Sequence, residues 1–64
     1  MPDAGVARES CLASNAAWRR QAGHLRQHAA IPHLTEQQRL CLLREAEAAD
    51  HQADMWLAGA IETR

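Results

Sequence analysis

The sequence predicts an all-α fold, an antiparallel two-helix hairpin that dimerises into a four-helix bundle. Three observations carry this. The centre of the chain, AIPHLTEQQ from Ala30 to Gln38, reads as a helix stop followed at once by a helix start. On each side of it apolar residues recur at helical spacing. The apolar residues themselves are too small for one hairpin to hold itself together. The chain has 64 residues, two Trp, no Phe and no Tyr, and alanine supplies much of its 47% hydrophobic content. A domain of this size buries only about 60% of its unfolded surface. It has about 1.5 kcal/mol of conformational entropy to offset for each ordered residue.

The first helix is predicted over residues 4–30, in a single domain of residues 1–64 whose first four residues fray. At about 100° per residue, Cys11, Trp18, Ala22, Leu25 and Ala29 share one face. Pro32 ends this helix, because it has no amide hydrogen and drives Ile31 out of the helical region. Pro32, His33 and Leu34 form a connection short enough for antiparallel neighbours. Thr35 and Gln38 then have the spacing of a capping box, and Glu36 suits the positive end of the helix dipole.

The second helix is predicted over 36–62. Its stripe is Leu42, Ala46, Ala49, Ala53, Trp56, Leu57 and Ala60, with Leu43 and Ile61 on the shoulder. Alanines in the middle permit close helix approach, and the larger residues near the ends fill space against the first helix and a second copy. Trp18, Leu25, Leu42, Ala46, Ala49, Ala53, Trp56 and Leu57 are therefore the expected core and dimer residues. Closing the hairpin near residue 33 places Leu25 level with Cys41, Trp18 with Ala48, Arg19 with Glu47, and Cys11 with Met55. Gly23 and Gly59 weaken their helices by up to about 1 kcal/mol each.

Charge and cysteine usage narrow the function. The net charge is −1, which gives no general attraction to nucleic acid or anionic membrane. It is unevenly divided, +2 over residues 1–33 and −3 over 34–64, so the two helices attract each other. No apolar run approaches the 18 or so residues of a membrane span, and no basic leader with an apolar stretch follows Met1. The expected location is the cytoplasm. Cys11 and Cys41 are too few for a disulfide scaffold and read as reduced, packed thiols.

The run WRRQAGHLRQHA, the turn, and QQRLCLLREAEAADHQA together resemble a group of short uncharacterised proteobacterial proteins. These have a Trp-Arg pair, a Leu-Arg pair, a short turn, a Leu-Leu pair and an Ala-rich second helix. The likeness covers Trp18 to about Ala53, with Asp50 and His51 standing where the group often has an aromatic residue. It implies a bacterial helical hairpin and assigns no chemistry.

Two polar faces remain for function. Arg8, Asn15, Arg19 and Arg26 lie within about 40° of one another on the first helix, a row able to follow a phosphate backbone. That arrangement resembles the Rop-type RNA-binding hairpin dimer. Glu47, Asp50 and Asp54 face the same side, so interhelix ion pairs are the preferred reading. No aromatic side chain stands among the arginines to stack on bases. On the other side His24 and His28, four apart, face Cys41 and Glu45, also four apart, a donor set suited to tetrahedral zinc. Polar surface is the preferred reading there too. No Gly-rich phosphate loop or nucleophile with a base in reach is present, and no cofactor is expected. Leu12, Ile31, Leu34, Leu40 and Met55 lie off the main stripes. The expected function is that of a non-enzymatic intracellular adaptor or regulator, a homodimer that binds another, unidentified protein.

Overall fold

In the computed structural model of the chain, residues 4–62 are described, and they form two α-helices that pack side by side. Helix α1 runs Ala4–Ala29 and helix α2 runs Glu36–Glu62. The fraying expected for residues 1–4 falls on residues 1–3, which lie outside the described residues, and on Ala4, the first residue of α1.

The turn is built as its residues dictate, with one addition. Helix α1 tightens before Pro32: the amide of Ala30 donates to both Arg26 and Gln27 carbonyls, at 3.1 and 3.2 Å, and that of Ile31 to His28 at 3.1 Å. This is the i−3 pattern that closes many helix ends. His33 then takes φ 75°, the left-handed conformation that histidine adopts more readily than most residues, and it reverses the chain. The capping box forms reciprocally. The Gln38 amide donates to Thr35 Oγ1 at 3.1 Å, and the Thr35 amide donates to Gln38 Oε1 at 3.0 Å. Arg39 adds a clasp that sequence reasoning missed. Its Nε donates to the Ala29 carbonyl at 2.9 Å, satisfying an acceptor that the end of α1 leaves open.

The seam between the helices is alanine. Among the described residues, Ala22, Ala29, Ala46, Ala49, Ala53 and Ala60 are the buried hydrophobic ones, and no large side chain is fully buried. Alanine lets the axes come together. The Cα envelope measures 53 × 13 × 13 Å, the long, thin shape of two helices lying side by side. Leu25 and Leu42 are half-buried, while Trp18, Trp56 and Leu57 keep between 37% and 40% of their surface exposed.

The register differs from the one expected. Cys11 lies beside Gly59 rather than Met55: a Cβ placed on Gly59 would sit 3.5 Å from Cys11 Sγ. Arg19 reaches Asp54 rather than Glu47. Leu34 and Thr35 belong to neither helix, and Arg39, one turn into α2, reaches back to the Ala29 carbonyl through its side chain.

Gly23 has open space around its Cα, and a Cβ at this position would meet nothing within 4 Å. Gly23→Ala is therefore expected to stabilise the hairpin by about 0.5–1 kcal/mol, the helical backbone entropy that glycine forfeits. A shift of the urea midpoint to higher concentration with an unchanged slope is the check.

Candidate functional site

One broad face of the hairpin carries the arginine row. Arg19 Nη2 pairs with Asp54 Oδ1 at 3.1 Å, and Arg26 Nη2 pairs with Asp50 Oδ2. Both pairs bridge α1 and α2, joining the electropositive first helix to the acidic second. They are solvent-screened, so neither is a main source of stability. Asn15 does not belong to an outward face. It is half-buried, and its Nδ2 donates to the Ala53 carbonyl of α2 at 2.6 Å. The reason is position: Asn15 stands closer to the alanine seam than the arginines do, and its short side chain reaches only the neighbouring backbone. It pins the register. Arg8 remains on this face and is exposed, with Leu12 beside it.

The pairing sets a pH dependence. The Arg26 hydrogen bond is the chief cause holding the Asp50 carboxyl below its ordinary value of 3.8, and Asp50 in turn raises Arg26. A carboxyl depressed by folding contributes stability that is present above its ordinary pKa and is lost as pH falls through the folded value. Between about pH 5 and pH 2 the melting temperature of the native chain should thus fall further than that of Asp50→Asn, measured by circular dichroism at constant ionic strength. Equal slopes for the two proteins would show that the pair contributes nothing.

The second predicted cluster is divided, with Cys41 and Glu45 toward the opposite broad face of α2 and His24 and His28 toward the outer side of α1. His24, His28, Cys41 and Glu45 are all exposed, so Cys41 is not a packed thiol there. Among the described residues no three His, Cys, Asp or Glu side chains come together as a metal site. The cause is rotation rather than height. At about 100° per residue, His24 and His28 lie more than about 100° from the direction of Ala22 and Ala29, and so point away from α2.

Next to Cys41 is an open groove of about 450 Å³ at the turn end, lined by Leu34, Gln37, Gln38, Cys41 and Leu42. Its walls are mainly apolar and offer glutamine amides and one thiol as polar groups. The sequence hinted at it only through Leu34, an apolar residue off both stripes. Around the rest of the rod Val6, Leu12, Ile31, Leu40, Met55 and Ile61 are exposed. No helix is long and apolar enough to cross a membrane among the described residues. Neither a family model, nor a curated protein, nor a solved structure matches the chain, and its function is read from this geometry alone.

Proposed function

We propose that the protein is a small cytoplasmic adaptor or regulator, without catalytic activity of its own, that self-associates and works by contact with another protein. The observation that carries this is the distribution of apolar surface. Leu12 and Ile61 are exposed on the arginine face, and Leu40 and Met55 on the outer side of α2, with Met55 and Ile61 each 56% accessible. A second copy laid on one broad face cannot cover all of these. Large apolar side chains that a homodimer leaves in solvent on two sides of the rod are surface available to a protein partner. The turn-end groove supports a binding role rather than a reaction, since no titratable cluster lines it. Arg19 and Arg26 would have to release Asp54 and Asp50 before serving phosphates, which favours protein over RNA as the partner.

The test compares immobilised native protein with the double variant Leu12→Glu, Ile61→Glu, after circular dichroism and sedimentation show that both fold and associate alike. A defined protein retained by the native chain and lost by the variant is expected. Identical retained proteins would overturn the reading. Salt-sensitive binding of a structured RNA that Arg19→Ala weakens would replace it.

A further inference from the structure

We propose that two copies of the chain pack antiparallel through the broad face opposite the arginine–aspartate pairs, with each Trp56 seated at the turn-end groove of the other copy. This specifies the self-association put forward above and rests on it. Four observations converge.

The first is area. The chain exposes 4970 Å², whereas a compact monomer of 7.1 kDa exposes about 4,100 Å². A side-by-side dimer of standard size would cover roughly 800 Å² on each copy, which a chain with this much exposed surface can supply. The radius of gyration, 15.0 Å against about 11 Å for a compact chain of this length, shows that the excess comes from a rod lacking thickness. Side-by-side packing supplies thickness.

The second is charge. At about 100° per residue, the face bearing Ser14, Gln21, Gln38, Gln52 and Trp56 includes, among the described residues, one formally charged residue, Glu45. The opposite face carries the ion pairs that already close on themselves. Burying the first face desolvates little charge.

The third is spacing. Ala49 is the midpoint of α2, and Leu42 and Trp56 stand two helical turns to either side of it. A two-fold axis across the rod at the height of Ala49 lays α2 on α2 of the second copy in opposite directions. Trp56 then comes level with Leu42 of the second copy, beside the groove that Leu42 lines. The indole is 40% exposed, a large apolar group next to an apolar hollow, and the match occurs twice by symmetry.

The fourth weighs against the parallel alternative. An axis along the rod would set both indoles at the end away from the turn, so neither Trp56 could meet the groove of the other copy.

The experiment places one spin label per chain at Glu36→Cys, with Cys11→Ala and Cys41→Ala, and measures the interchain distance alongside sedimentation. The expected result is a dimer with labels about 40 Å apart, one at each end of the rod. A dimer with labels closer than about 20 Å overturns the antiparallel packing while leaving self-association intact. A monomer at every concentration overturns both. In the unlabelled protein Trp56→Ala should weaken dimerisation at least about 30-fold, whereas Arg19→Ala on the other face should leave it within about 3-fold. The reverse order would assign the interface to the wrong face.

Discussion

Ala53→Asp is expected to abolish folding. Ala53 is fully buried in the seam, its carbonyl accepts from Asn15, and the helices around it have no room for a carboxylate or for water to accompany one. A charge left without a partner in such a place costs several kcal/mol. The whole stability of a domain this size is about 3–10 kcal/mol. Asp50 and Asp54 nearby would repel the new charge, and the two arginines in reach are already engaged. Far-ultraviolet circular dichroism at neutral pH should show the helical signal lost. A cooperative transition within about 1 kcal/mol of the native chain would show that the seam is far more open than its alanines imply.

Trp56→Ala is the second large effect, and its size separates a lone hairpin from the proposed dimer. Truncating a fully buried tryptophan costs about 3–5 kcal/mol. Within one chain Trp56 keeps 40% of its surface in solvent, so a monomer would lose roughly half that amount. The expected result is a loss of about 3 kcal/mol or more, together with a native melting temperature that rises with protein concentration. A smaller, concentration-independent loss would mean that the indole meets no second copy.

How far the sequence could be read is clearest at the turn. Pro32, Thr35 and Gln38 act on neighbours within a few residues, through a missing amide and two reciprocal hydrogen bonds, and so the break and the start of α2 were legible to within a residue. His33 was not. Its positive φ answers a need of the path between the helices, and nothing in the residue itself demands it. The arginine row shows the same division. Opposite charges on facing sides predicted ion pairs, yet the sequence named Glu47 for Arg19, because counting back from the turn assumes that both helices start level. Asn15 was placed with the arginines by angle alone. Its reach to the Ala53 carbonyl depends on how closely the alanines let α2 approach.

The sequence by itself determined the two helices, their limits, the stripe of small residues that joins them and the shortage of core volume. All of these follow from local stereochemistry and from residue size. Only the tertiary structure decided which residues stand opposite one another. It set Arg19 against Asp54 and Arg26 against Asp50, turned His24 and His28 away from α2, and left both indoles half in solvent beside a seam whose buried residues, among those described, are all alanine. Register and rotation are properties of the pair of helices. They are fixed by a few contacts between distant residues, and a one-turn shift leaves every helical periodicity in the sequence unchanged.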